Sequence, residues 1–458
     1  MATAEEQRRL VKSVCQQYRR IPWEPLAQKQ RNSARDLPAR GNIWISRVSF
    51  PAPSSPSVRD ALYRVINHLK SDYHKITPAE ETPILDVGVE FIGERTGDIA
   101  PDAPEPDISE EDKLRALEKE CSSDMTILYI HGGGLYFSSP AEFRAASVRL
   151  AKMTKARVAS IRYRLAPNNS FPAPILDTLI AYANLIHPPY GAAWSAVPAD
   201  RIVITGNSSG ANLGLGVIKF LLEWQRLSGQ PVASIADFHG RAISLPLPAG
   251  MATVSGWCDQ CDALPSWHRN GEYDILGVLQ PACMPGHPVD SIWPTNPPRE
   301  HPYCTGMTLD HELVSPSAVR DWTGAPPMFF LCGSEERGID GNRVVASQAA
   351  KSGVMVTWNE YEGMPHDFIL IMAKLPQAKH AMALWARACV DFIASKKDGR
   401  IIARPSAIRL LMPDCKAKID LGDPRDMSPL PFEEVRRKMR EYNATRPVWT
   451  GKLGEPHL

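Results

Sequence analysis

No apolar run in this 458-residue chain approaches the ~18 residues that a membrane-spanning helix needs. The longest patches, such as Phe368–Ala373, are sized for the interior of one strand or one short helix. Charge of one sign is also missing, because 52 Lys and Arg stand against 51 Asp and Glu, for a net charge of +1. That balance gives no electrostatic reason to expect nucleic acid or an anionic membrane as a partner. Met1–Arg9 lacks the apolar stretch and cleavage pattern of a secretory leader, so a cytoplasmic protein is expected. A disulfide framework is excluded as well. The nine cysteines are odd in number and scattered from Cys15 to Cys415, which reads as reduced thiols. Internal repeats are absent. What the chain has in excess is proline, 41 residues and roughly twice ordinary usage, which implies long ordered loops.

Length alone suggests about three domains, although α/β folds often exceed 250 residues as one unit. Val58, Leu62, Val65, Ile66, Leu69 and Tyr73 fall at helical spacing, and Leu85, Val87, Val89 and Phe91 alternate as in a half-buried strand. From residue 125 onward, short β-rich runs alternate with helical patterns. Strands are expected at 127–130, 158–163, 202–205, 243–247, 328–332 and 354–358, with helices near 141–154, 173–187, 210–227 and 342–352. Such alternation predicts an α/β fold with a mostly parallel sheet covered on both faces. The expected division is an N-terminal cap or extension over 1–84, a core over 85–398 and a C-terminal extension over 399–458. A Pro- and Trp-rich insert without a convincing strand is expected at 250–325, before the acid-bearing strand.

The strongest chemical signal is Gly206-Asn207-Ser208-Ser209-Gly210, between an expected strand and an expected helix. A G-x-S-x-G pentapeptide in that context is a nucleophile elbow, which lifts Ser208 Oγ above the sheet. The run His131-Gly132-Gly133-Gly134 ends another strand. Glycines there let backbone N–H groups approach a developing oxyanion, so Gly132 and Gly133 are expected to donate together with Ser209. His131 is expected to orient that loop. A serine nucleophile also needs a base and a carboxylate. His366, in the loop after the last core strand, can reach back to Ser208. Glu335, Glu336 and Asp340 all follow the preceding strand and are candidates for the acid.

Four motifs in order strengthen the pattern: His131–Gly134; Tyr163–Pro167 with Phe171–Pro174 and Asp177; Gly206–Gly210; and Met364-Pro-His-x-Phe368. Together they resemble the hormone-sensitive-lipase-like (family IV) esterases of the α/β-hydrolase superfamily and their fungal relatives. The resemblance spans roughly residues 85–395. It implies an α/β-hydrolase fold with an N-terminal cap, a small-molecule ester as partner and no cofactor, and it leaves room for a homodimer. It also implies the catalytic set Ser208, Glu336 and His366, with Asp340 in a second acidic place, and the oxyanion hole Gly132, Gly133 and Ser209. The sequence departs from the family at Asn207, where Asp is usual, and at Ser209, where Ala is usual. Tyr163–Pro167 and Asp177 read as structural ties.

Cys258-x-x-Cys261, with Cys283, Cys304 and nearby histidines, fits a zinc site poorly because only one cysteine pair is close, so no metal is expected. Tyr136 and Phe137, directly after the glycine run, are the candidates for the substrate pocket. The tryptophans of the insert are either pocket walls or packing for a long loop. The expected activity is hydrolysis of carboxylic esters of a small or medium hydrophobic substrate through a Ser-His-Glu triad and an acyl-enzyme. Amide, lactone, thioester or transacylase chemistry in a biosynthetic pathway would use the same groups, and a non-catalytic ligand receptor on this fold is the remaining alternative.

Overall fold

The computed structural model describes residues 3–36, 38–277, 281–398 and 405–451. Its frame is a ten-stranded sheet. The strands in chain order are β1 (Ile43–Phe50), β2 (Val87–Glu94), β3 (Thr126–Ile130), β4 (Arg157–Arg162), β5 (Ile202–Asn207), β6 (Ala233–Phe238), β7 (Arg241–Leu245), β8 (Gly250–Val254), β9 (Met328–Gly333), β10 (Val356–Tyr361), β11 (Ser406–Leu410) and β12 (Lys418–Asp420). Across the sheet the order is β1-β2-β4-β3-β5-β8-β9-β10-β11-β12. Neighbours from β4 to β11 run parallel, whereas β1, β2 and β12 add antiparallel edges. The fold is therefore α/β, with a mostly parallel sheet flanked by helices.

Side-chain alternation builds a core on each face. On β3, Leu128 and Ile130 enter one apolar cluster while Ile127 and Tyr129 enter the other. The first face is covered by the helices Ser57–Leu69, Ala173–Ile186, Ser209–Ser228 and Ile339–Lys351. The second is covered by Ala4–Arg19, Arg144–Thr154 and Pro376–Asp398. Strands buried on both faces lose the polar alternation that marks an exposed sheet. β3 and β5 are accordingly buried throughout.

Several elements differ from the expectation. The run at 243–247 does not join the main sheet. As β7 it pairs antiparallel with β6 in a separate hairpin, because only Ile243 and Leu245 are buried. The insert begins later than expected, since Gly250–Val254 is a fully buried strand between β5 and β9. The sheet also reaches past the 85–398 core: β1 lies within 1–84 and β11 and β12 lie within 399–458. The boundary expected at 398–399 adjoins residues 399–404, which are outside the described residues.

The C-terminal extension is thus part of the sheet. Thr357–Tyr361 pairs with Ser406–Leu410, and the helix Phe432–Ala444 buries Val435 and Met439. A chain ending at Asp398 would leave the edge of β10 open, a template for strand pairing between molecules. Such a truncated protein is expected to aggregate in size-exclusion chromatography or to unfold at clearly lower urea than the full chain. A monomer with the full chain's midpoint would contradict this role.

Candidate active site

Ser208 stands at the carboxyl end of β5 with φ 51° and ψ −124°, just before the helix that starts at Ser209. A non-glycine residue holds that conformation only where its surroundings over-determine it. Here the turn is clamped between neighbours. A Cβ on Gly210 would lie 2.0 Å from the Ile130 carbonyl oxygen, so only glycine lets the helix start against the end of β3. The Ser208 N–H donates to Val254 O at 3.0 Å, and its own carbonyl accepts from Trp257 N at 3.0 Å. The serine is 5% exposed.

The structure brings Ser208, His366 and Glu336 together. His366 Nε2 lies 2.9 Å from Ser208 Oγ. Its Nδ1 is 3.5 Å from Glu336 Oε2, an ion-pair distance rather than a short hydrogen bond. The other oxygen, Glu336 Oε1, accepts from Ser255 Oγ at 2.7 Å and from the Gly333 N–H. Of the other carboxylates considered, Asp340 points elsewhere, accepting from Ser266 N at 2.8 Å and pairing with Arg343 at 3.1 Å. Glu335 is half-buried, and its backbone N–H donates to Met364 O.

Two further carboxylates surround the imidazole. Asp274 is fully buried and accepts the backbone N–H of His366 at 2.9 Å, of Arg337 at 2.6 Å and of Ile275 at 2.7 Å. It therefore ties the insert to both the histidine loop and the residue after Glu336. Asp367 Oδ2 lies 3.7 Å from His366 Nε2 and accepts from Asn207 Nδ2 at 2.8 Å. Burial alone would lower the His366 pKa. The charges of Asp367 and Glu336 outweigh it and raise His366 to about 9. Burial pushes Glu336 up to about 7, against the pull of His366. Neither Asp274 nor Asp367 stands out in the sequence, one being a lone acid in a loop and the other the variable position of His-x-Phe.

The glycine run corrects one expectation. The N–H of Gly132 donates to Asn207 Oδ1 at 3.1 Å and is not free to meet an oxyanion. The N–H groups of Gly133 and Gly134 have no such partner, nor does that of Ser209 in the first turn of its helix. Gly133 sits at φ 110°, where a Cβ would lie 2.2 Å from Phe137 O. The two departures from the family pattern both serve as ties. Asn207 Oδ1 also accepts from Tyr129 OH at 2.8 Å, and Ser209 Oγ accepts from Leu135 N at 3.2 Å. His131 stacks on Tyr163 with ring centres 4.3 Å apart, and burial holds its pKa down to about 4. Arg164 pairs with the buried Asp177 at 2.7 Å.

Tyr136 is buried and Phe137 half-buried, with ring centres 5.3 Å apart. The helix Leu26–Ser33 fastens their loop. Gln30 Nε2 donates to the carbonyls of Tyr136 and Ala166 at 2.8 Å each, and Ser33 Oγ accepts from Ser138 N at 2.9 Å. The insert tryptophans pack against protein, with Trp257 and Trp267 stacked at 5.9 Å and Trp293 and Trp322 fully buried. All nine cysteines are free thiols, and Cys258 donates to Asn342 Oδ1. Among the described residues, no group of three or more His, Cys, Asp or Glu could hold a metal ion, and no helix is long and apolar enough to cross a membrane.

Residues 127–370, more than half of the chain, match the model of the alpha/beta hydrolase fold family. The chain belongs to that family. An acetyl-hydrolase of Streptomyces hygroscopicus is 28% identical to this α/β hydrolase over 258 residues, 56% of this chain and 72% of the relative. An esterase of Acinetobacter venetianus is 27% identical over 269 residues, 58% of this chain and 75% of the relative. Among solved structures, an esterase from the bacterial hormone-sensitive lipase family superposes with a TM-score of 0.56 and 21% identity, over 86% of this chain and 100% of that one. This likeness shows the fold.

The charge beside Nε2 is open to direct test in this α/β hydrolase. By NMR, the His366 ring is expected to titrate well above the ordinary range, near about 9. In Asp367→Asn, removal of the leading favourable charge should move that midpoint down by about one unit or more. An unchanged midpoint would show that Asp367 does not act on the ring.

Proposed function

We propose that this α/β hydrolase is a carboxylic-ester hydrolase working through Ser208, His366 and Glu336. The observation that carries the reading is the 2.9 Å contact between His366 Nε2 and the hydroxyl of a strained, nearly buried Ser208. The neutral form of His366, whose share grows as pH rises toward its raised pKa of about 9, takes the proton of Ser208 on Nε2 as Oγ attacks the ester carbonyl. Glu336, fixed by Ser255 and Gly333, orients the imidazole and stabilises its cation. The oxyanion meets the N–H groups of Gly133, Gly134 and Ser209, each worth about 3 kcal/mol in the transition state. The alcohol departs with the proton from His366, and water then attacks the acyl-enzyme by the reverse sequence.

The named activities of the Streptomyces and Acinetobacter relatives support an ester as the substrate class. The receptor alternative is disfavoured because the histidine base is present and seated on the serine. No cofactor enters this scheme.

A small fluorophosphonate is expected to add once to the protein, at Ser208, as read by intact mass and peptide mapping. Ser208→Ala should lose the adduct and at least about 10⁴-fold of the turnover of p-nitrophenyl butyrate while keeping its circular dichroism spectrum. Glu336→Gln should keep the adduct site but lower kcat by about 10³-fold or more, through the wrong imidazole tautomer. Substantial turnover by folded Ser208→Ala would refute the assignment.

A further inference from the structure

A cavity of about 420 Å³ opens where β1 begins, between residues 38–43 and the helix Arg144–Thr154. Its volume falls within the ~300–1,000 Å³ of small-molecule sites, and it shares no lining residue with Ser208, His366 or Glu336. Of the described residues that line it, three are cationic, Arg40, Arg144 and Lys152, and none is acidic. Arg144 is balanced, because its Nε donates to Glu90 at 2.7 Å and its Nη2 pairs with Asp36 at 2.6 Å. The other two meet only neutral oxygens. Lys152 Nζ donates to Asn42 Oδ1 at 2.5 Å, and Arg40 Nη1 donates to Asp102 O at 3.2 Å. Among the described residues, no carboxylate pairs with either of them.

The two charges stand on different walls, and both walls are ordered. Lys152 lies in the last turn of its helix. The Arg40 wall is pinned by its neighbours, since Ala39 N donates to Glu105 Oε1 at 3.0 Å and Gly41 N to Ala103 O at 2.8 Å. Glu105 in turn pairs with Arg47 and Lys113, so its charge is already met. Beside the cations the lining is apolar, with Ile43, Pro101 and Val148. A bare inorganic anion gains nothing from such a surface. An organic acid buries its chain there while its carboxylate meets the cations.

We propose that this cavity binds an organic monocarboxylate with a short apolar chain, its carboxylate on Arg40 and Lys152 and its chain against Ile43 and Val148. The site itself does not depend on the catalytic reading. One consequence rests on that reading: the acid that an esterase releases belongs to this ligand class, so the product has a second seat on the enzyme.

Calorimetric titration of the full chain with acetate, hexanoate and hexanamide tests the proposal, after Ser208 has been capped with a fluorophosphonate. Hexanoate is expected to bind one equivalent, about tenfold or more tighter than acetate because it buries more methylenes. It should exceed neutral hexanamide by about the same factor, because only the acid makes charge-assisted hydrogen bonds. Arg40→Ala combined with Lys152→Met should weaken hexanoate by about tenfold or more. Ala145→Phe, at an exposed lining position of the helix, fills the cavity while keeping both charges. It should abolish binding and leave the circular dichroism spectrum unchanged. Failure of hexanoate to bind, or binding that survives both variants, would overturn the site. Equal affinity for acetate and hexanoate, or displacement of hexanoate by an equal concentration of inorganic phosphate, would reduce it to a patch of charge and overturn it too. If the fluorophosphonate fails to label the protein, the esterase reading falls, and the same titration of the unlabelled chain and its variants still decides the cavity.

Discussion

Everything at the site depends on how closely β3 and β5 end beside each other. The helix that follows Ser208 starts against the Ile130 carbonyl, at a separation that leaves no space for one methyl group on Gly210. That contact holds Ser208 in a backbone conformation that few residues adopt. It also sets the glycine run, which leaves β3 immediately afterwards, alongside the first turn of the helix. Asn207 and Ser209 then lock the two segments by accepting N–H groups of Gly132 and Leu135. The nucleophile and the unengaged N–H groups of Gly133 and Gly134 are thereby one rigid unit rather than two loops that must find each other.

The histidine is held differently, by acids. Glu336 approaches Nδ1, Asp367 approaches Nε2 and Asp274 holds the main-chain N–H. Ser255 couples the first two, since its hydroxyl donates to Glu336 Oε1 and accepts from the Asp367 N–H at 3.1 Å. Three carboxylates around one imidazole favour its cation more strongly than one would, while burial opposes the charge. The ring is thus both oriented and biased toward holding a proton.

The sequence was most legible where chemistry demands a residue type at a short, fixed spacing. The glycines of the elbow, the serine, and the histidine after the last core strand are such positions, and the structure gathers them. Legibility fell where the reason for a residue is distant in the chain. Which glycine N–H remains free depends on Asn207, some 75 residues away in sequence. Asp274 matters through backbone groups of Arg337 and His366, and no local pattern announces that. β8 escaped notice because Gly-Met-Ala-Thr-Val has neither alternation nor bulk, as suits a strand buried on both faces. β11 and β12 escaped because short, half-polar edge strands resemble loops, and β7 misled because alternation marks a half-buried strand without saying which sheet it joins.

The N-terminal helix packs beside the histidine loop. In the N-terminal helix, Arg8 pairs with Glu362 near the histidine loop, and Gln7 accepts from Gln377 Nε2 at 2.7 Å. β11, made late, flanks β10, whose end carries His366. Contacts of such long sequence separation close slowly and only after most of the chain exists. On the ribosome, the serine turn can therefore be complete while its base still lacks its supports. A nascent chain carries the nucleophile well before it carries the histidine base, 158 residues later.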